Sequence, residues 1–400
     1  MPNSFNDPKP RMKRIIICCD GLSHTSSPER SIEFQNSDGG KLDVPTNVTR
    51  VAHALKSYTD DGVSQVAYYR SRVGTGSTVN RLVGGGTGLG LSEHVREAYG
   101  FLAHNYHPGD TIHLFGFSCG AYTARSICGL VCRIGILMKK GMDNFYQVYE
   151  DYRIKKYRND PSAVAELQAR EGGSLVTPNV KVKTICCWDT VGSLGIPSVG
   201  ALVIGNWIAG IEQEKYGFHD TDLSPRVENA SHALTLDEHR GPFTPTVWKK
   251  TEDIPTSLKQ CWFPGVHANI GGGYDDQEIA DMTLAWMVQQ LLPFLQFDDD
   301  YLKIIIHNND EHSSGELVGG NVRMPGGYGD STEETIHKSV RLRMKVVPNR
   351  SSSALKGWTW YEGGFWEKGS KRIAEDELGS VEKRLAGKAV VKNMLGEDMS

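Results

Sequence analysis

Thr111-Ile112-His113-Leu114-Phe115-Gly116-Phe117-Ser118-Cys119-Gly120, followed by Ala121-Tyr122-Thr123-Ala124-Arg125, decides how the whole chain is read. An apolar run of strand length, residues 111–115, enters a turn with glycines two places either side of a serine. Residues 121–134 then carry the 3.6-residue periodicity of a helix. Strand, tight turn, helix is the context that gives Gly-x-Ser-x-Gly a chemical meaning. A serine hydroxyl is a poor nucleophile unless a base takes its proton and donors stabilise the oxyanion. The turn presents the Ser118 hydroxyl sharply and sets the amide of Cys119 at a helix N-terminus, where negative charge is favoured. Ser118 is the candidate nucleophile and Cys119 N a candidate oxyanion donor. A glycine-rich turn without chemistry is the alternative, and the regular flanks count against it.

Outward from this turn, apolar runs of strand length alternate with amphipathic segments. Strands are predicted at 14–19, 63–69, 180–188 and 258–263, and helices at 46–58, 91–106 and 277–292. The alternation predicts an α/β fold with a mainly parallel central sheet and helices on both faces. Residues 139–179 and 192–250 are long for sheet connections and are expected to be helical cap insertions. The expected organisation is a flexible N-terminus at 1–12, a main domain at 13–300, and a C-terminal extension at 301–400 packed on it. That last segment holds an aromatic knot, Trp358, Trp360, Tyr361, Phe365 and Trp366, expected to be core or interface rather than a ligand platform.

In such a fold the remaining catalytic members follow in the order serine, acid, histidine, each just past a strand. Asp189 comes directly after the buried run ending at Trp188, where a carboxylate can orient an imidazole; capping the next turn is its plainer role. His267 ends Phe263-Pro264-Gly265-Val266-His267 and precedes Gly271-Gly272-Gly273. Of the 13 histidines, His94, His104, His107 and His113 precede Ser118, and His219, His232 and His239 fall in the expected caps, so His267 is the best placed base. Asp275 and Asp276 are runner-up acids whose position before a helix suggests capping. Asp20-Gly21 ends the first strand, and the amides of Gly21 and Leu22 are candidates for the second oxyanion bond, with a plain turn as the alternative. Residues 84–90 are glycine-rich but lack the Lys-Ser/Thr pair of a phosphate loop, so a lid or tight packing is expected there instead of a nucleotide site.

A net charge of -4 and 23% charged residues provide no basic surplus for tracking a phosphate backbone, so no nucleic-acid partner is expected. No apolar window approaches the roughly 20 residues that span a bilayer and the first 13 residues lack an apolar leader core, so the expected location is cytoplasmic. The eight cysteines fall mostly in apolar runs without zinc-site spacing and are expected to be buried thiols. No metal or organic cofactor is called for. Oligomeric state is not legible.

The chain resembles the α/β-hydrolase family catalogued as domain of unknown function 2235, which includes type VI secretion phospholipase effectors, with spellings nearest the fungal members. Beyond the serine block, the resemblance is carried by Cys18-Cys19-Asp20-Gly21, Thr46-Asn47-Val48-Thr49-Arg50, Val73-Gly74-Thr75-Gly76, Trp188-Asp189-Thr190-Val191-Gly192, Leu236-Asp237-Glu238-His239-Arg240, and the His267 block through Tyr274. It implies an α/β-hydrolase-like fold, a Ser118-Asp189-His267 mechanism, a lipid or small-molecule acyl ester as substrate, and transient contact with a membrane surface. The chain departs from the family pattern at Cys119, where arginine is usual, at Leu22 and Ser23, where threonine and an aromatic are usual, and at Arg72, where glycine is usual. Asp20, Ser23 and Arg72 flank the implied pocket as candidate substrate contacts. Two other functions use the same residues: a biosynthetic acyltransferase or cyclase, in which an acceptor other than water takes the acyl group, and a non-catalytic binding module on a hydrolase fold.

Overall fold

Lys-Arg-Ile-Ile-Ile-Cys-Cys at residues 13–19 is apolar at successive positions, as a strand buried on both faces must be. The computed structural model of the protein describes residues 12–21, 44–70, 88–169, 174–191, 223–240, 243–274, 276–305, 323–346 and 352–385. It forms this run into β1 (Lys13–Cys19), between β2 (Ser64–Arg70) and β3 (Thr111–Phe117). Ile15, Ile17, Ile112 and Leu114 face one core; Ile16, Cys18, Phe115 and Phe117 face another. The first core is covered by the helices Gly88–Asn105 and Cys119–Ile134. The second is covered by Asn47–Ala54 and Glu278–Leu291. Helices on both faces of the sheet follow directly from strands that are apolar on both faces.

Two short strands, β4 (Ile136–Leu137) and β5 (Val176–Thr177), pair with each other away from the main sheet. Beyond β3 the main sheet continues through β6 (Val182–Trp188), β7 (Val227–Thr235), β8 (Ser257–Phe263) and β9 (Glu334–His337). It then takes in β12 (Lys371–Asp376), β11 (Phe365–Lys368) and β10 (Thr359–Tyr361), ten strands among the described residues. Pairing is parallel from β2 to β12, and β11 and β10 form an antiparallel edge. β2 and β3 flank β1 on opposite sides, so the order of the sheet reverses at β1. In an open α/β sheet the crevice beyond the carboxyl ends of the strands at such a point is where ligands bind.

Two expectations are corrected. Residues 227–235 are not part of a cap but form β7 in the middle of the sheet. Val-Glu-Asn-Ala-Ser-His-Ala-Leu-Thr hides its strand character because its polar members are satisfied inside: Asn229 donates to Lys183 O, and His232 Nε2 accepts from Thr190 N. The segment past residue 300 is not merely packed on the domain, because its strands extend the same sheet. Trp366 is buried there with Trp262, Ile336 and Ile373, with Trp358 and Trp360 partly buried against them and Arg341 over the Trp360 ring, whereas Tyr361 is exposed and stacks on Phe365, so the aromatic knot is core only in part. Helices Phe145–Arg153, Lys156–Asn159 and Pro161–Gln168 occupy the first expected cap. Residues 192–222 lie outside the described residues. The helix expected at 46–58 ends at Ala54, where Leu55 turns extended and bridges to Phe297.

Candidate active site

Gly116 and Gly120 are glycines for steric reasons. A Cβ at Gly116 would overlap the Ala121 backbone, and one at Gly120 would overlap the Cys19 and Asp20 backbone. Between them Ser118 adopts φ 57 and ψ -125, a conformation that costs a non-glycine residue on the order of 1–3 kcal/mol and clusters at functional sites. Ser118 N donates to Trp188 O at 3.1 Å, tying the turn to the end of β6. The Ser118 side chain does not cap the helix that starts at Cys119. Gly21 is pressed against the turn, since a Cβ there would stand 2.6 Å from Phe117 O and 2.8 Å from Ser118 Cβ.

Asp189 follows β6 with φ 39, and its carboxylate is fully buried. His267 Nδ1 lies 2.6 Å from Asp189 Oδ2. Arg323 Nη1 donates to Oδ1 at 2.8 Å and Nη2 to Oδ2 at 3.0 Å, and Thr235 N donates to Oδ1 at 3.3 Å. Burial alone would raise this carboxyl, but Arg323 and then His267 outweigh it and hold Asp189 down at about 2. An ionised carboxylate only accepts, so the proton between the two residues belongs to Nδ1 and the lone pair of a neutral ring belongs to Nε2. Nε2 is buried with no hydrogen-bond partner among the described residues. An unpaired buried polar atom costs about 1–3 kcal/mol, and native structures keep such atoms where chemistry uses them.

The imidazole is gripped on its faces. Its ring lies 4.8 Å from the ring of Phe117, the residue before Ser118, and 4.9 Å from Phe243, which meets it edge-on. Glu238, buried and held below the usual carboxylate range by Arg240 against its burial, accepts the His267 amide at 3.3 Å. Gly271 packs so tightly on Phe117 that a Cβ would enter the ring. Asn47 anchors the same short helix, His267–Gly271, by donating to Ile270 O at 3.0 Å, Ala280 O at 2.9 Å and Thr283 Oγ1 at 3.0 Å. Asn47→Ala is expected to lower stability by about 3 kcal/mol in urea unfolding, because it strands buried acceptors with no water to replace the amide.

The structure brings Asp189 and His267 into hydrogen-bonding contact and sets the residue before Ser118 against the His267 ring. Asp20 belongs to a separate cluster: its carboxylate accepts from Thr46 Oγ1 at 2.8 Å, Thr49 Oγ1 at 3.0 Å and Tyr69 OH at 2.9 Å. It also accepts the amide of Gly21 at 2.8 Å, so that amide, expected to serve the oxyanion, is already engaged. Leu22, Ser23, Arg72, Asp275 and His219 lie outside the described residues. Asp276 accepts from Glu278 N at 3.1 Å at the start of the next helix, in keeping with capping. His113 and His232 are structural: burial, then nearby cations, push both down to about 3, and both rings bond to neighbours within the sheet. The eight cysteines are free thiols, all buried except the half-buried Cys119. Among the described residues no group of three or more His, Cys, Asp or Glu is placed to hold a metal ion, and no helix is long and apolar enough to cross a membrane.

Residues 13–290 match the family described as type VI secretion system phospholipase effector Tle1-like, catalytic domain. The chain belongs to this family. A curated relative of the Tle1-like chain is the uncharacterized protein YEL023C of Saccharomyces cerevisiae, 27% identical over 271 residues, which cover 62% of this chain and 35% of the yeast protein. The chain thus spans about a third of that relative's length. Similar solved structures include an uncharacterized protein from Pseudomonas aeruginosa, 16% identical with a TM-score of 0.35, covering 73% of this chain and 47% of that one. The Tle1 effector bound to the VgrG spike of the type 6 secretion system is also 16% identical, with a TM-score of 0.28 over 66% of this chain and 52% of that one. An esterase from Thermogutta terrifontis is 12% identical, with a TM-score of 0.32 over 71% of this chain and 85% of that one.

Two participants in the Tle1-like site are invisible to sequence reasoning. Glu238 sits in the block Leu236-Asp237-Glu238-His239-Arg240, but nothing in its spacing points to the His267 amide. Arg323 lies beyond the residues that match the family, in a glycine-rich stretch, 134 positions from the carboxylate it clasps. Only a search for an unexplained cation in the C-terminal segment would have singled it out.

Proposed function

We propose that this chain is a serine hydrolase of acyl esters, lipid-like or small, that works through an acyl-Ser118 intermediate. The observation that supports this most is the Asp189–His267 hydrogen bond, which leaves a buried imidazole nitrogen unpartnered on a ring packed against Phe117, the residue before a serine in a strained turn. Family membership supports the substrate class, since the family is described as a phospholipase. In the proposed cycle Ser118 Oγ attacks the ester carbonyl carbon and its proton passes to His267 Nε2. The Cys119 amide, at the start of its helix, and the Leu22 amide, the remaining candidate after Asp20, take the oxyanion. The C–O bond of the ester then breaks, and the departing alkoxide receives the proton from Nε2. Water repeats the sequence on the acyl-enzyme, returning Ser118 and releasing the acid. Exposures of 5% at Ser118 and 3% at His267 keep these charges in a medium where fixed donors are worth more than in water. With p-nitrophenyl butyrate, steady-state release of many equivalents of p-nitrophenol per chain is expected. A single equivalent with the butyryl group retained on the protein would instead mean that an acceptor other than water completes the reaction.

A further inference from the structure

We propose that Arg323 is a positioning residue that fixes both the charge and the proton location of the Asp189–His267 pair, so that the catalytic unit is completed from outside the segment that matches the family's catalytic domain. The proposal rests on the assignment of Ser118, Asp189 and His267 as a triad. Arg323 and Asp189 side chains are both wholly buried, and the guanidinium meets the carboxylate as a two-pronged fork, one nitrogen to each oxygen. A structural ion pair would be free to lie anywhere; this one shares Oδ2 with the imidazole.

The chemistry follows from counting lone pairs and protons. Arg323 fills one position on each Asp189 oxygen, Thr235 N takes another on Oδ1, and His267 Nδ1 takes the remaining position on Oδ2. That arrangement has no room for a carboxylic acid proton. Without the guanidinium, a buried carboxylate beside an imidazole draws an extra proton to the pair. If the proton stays on the ring, the imidazolium cannot accept from Ser118. If it stays on Asp189, the acid donates to Nδ1 and the ring proton moves to Nε2, which again cannot accept. Both microstates of the coupled pair disable the base. Arg323 therefore holds the pair with its single proton on Nδ1, and its fork holds the carboxylate plane on which the ring is oriented. The other charged or titratable groups facing the pair are His232, Glu238, Arg240 and Tyr328. Glu238 and Arg240 pair with each other.

The test uses the full chain as wild type, Arg323→Gln and Arg323→Lys, each checked for folding by circular dichroism. The rate of fluorophosphonate labelling is followed from pH 5 to 9, and the His267 ring is titrated by nitrogen-15 NMR, assigned by its loss in His267→Ala. In Arg323→Gln the acid limb of labelling and the ring titration are expected to move up by about one pH unit or more, with the rate recovering toward wild type at high pH. Arg323→Lys, which keeps the charge and loses the fork, is expected to leave the limb in place and lower the plateau about tenfold. A uniform loss in Arg323→Gln with an unmoved limb and ring titration overturns the proposal, because a purely structural arginine would act that way. If Arg323→Gln does not fold, a wild-type plateau in Arg323→Lys overturns it. If wild type is not labelled at all, the hydrolase assignment fails separately, while the ring titration still decides for or against Arg323.

Discussion

His267→Ala is expected to lower kcat on p-nitrophenyl butyrate by about 10⁶-fold, the scale seen when the base of a serine triad is removed. Removing the imidazole leaves the Ser118 proton with no acceptor, while the oxyanion donors and the strained turn survive. What remains is only the rate that binding and backbone amides supply. Unfolding is the other route to a lost rate, because the substitution removes a buried side chain. The ring is held by Phe117, Phe243 and Asp189, and the backbone amide that bonds Glu238 is unchanged by the substitution. Circular dichroism and a urea midpoint distinguish the two causes. A folded variant that loses less than about 100-fold would mean that another group takes the proton, since general-base assistance alone contributes about 10²–10⁴-fold.

Asp189→Asn is expected to lower kcat by about 10⁴-fold and to destabilise the fold as well. An amide offers one acceptor atom and one donor where three partners require two acceptors. In either orientation its NH₂ faces one prong of the Arg323 fork: at the Oδ1 position it also meets the Thr235 amide, and at the Oδ2 position it donates to Nδ1 and pushes the ring proton to Nε2. In both cases the buried guanidinium loses its counter-charge, and breaking one half of a buried pair costs about 3–5 kcal/mol. The pH dependence has a definite sign. Asp189 is held at about 2 in the folded chain, below the usual value of about 3.9 for an unfolded aspartate. Its stabilisation is therefore complete above about pH 4 and is lost as pH falls toward 2. The stability gap between wild type and Asp189→Asn should be constant near neutrality and narrow over that acid window, as followed by urea unfolding at fixed pH.

Residues whose positions depend on their immediate neighbours were legible in the sequence. Ser118 stands between glycines and regular elements, and Asp189 directly follows an apolar run whose alternation marks a buried strand. His267 comes four residues past another such run. β1, β3 and β6 were legible for the same reason: buried on both faces, they are mostly apolar, and β8 was legible through its buried end Cys261-Trp262-Phe263. β7 was not, because Asn229, Ser231 and His232 are satisfied only by partners on other elements, and nothing local records those bonds. The strands past residue 333 were obscured by exposed charges on a sheet edge, where Lys368, Lys371 and Arg372 face outward. Arg323 is the extreme case. Its partner is distant in sequence, and its own surroundings, Met324-Pro325-Gly326-Gly327, resemble an ordinary turn. The engagement of Gly21 N by Asp20 could not be foreseen either, because it depends on how a side chain folds back on its own backbone.

If the hydroxyl of residue 118 is the acyl acceptor, covalent mapping locates the adduct there. After exposure to a fluorophosphonate, digestion and mass spectrometry should place one adduct on the peptide that carries Ser118, and Ser118→Ala should acquire none. Equal labelling of the two proteins, or an adduct on any other residue, would contradict it.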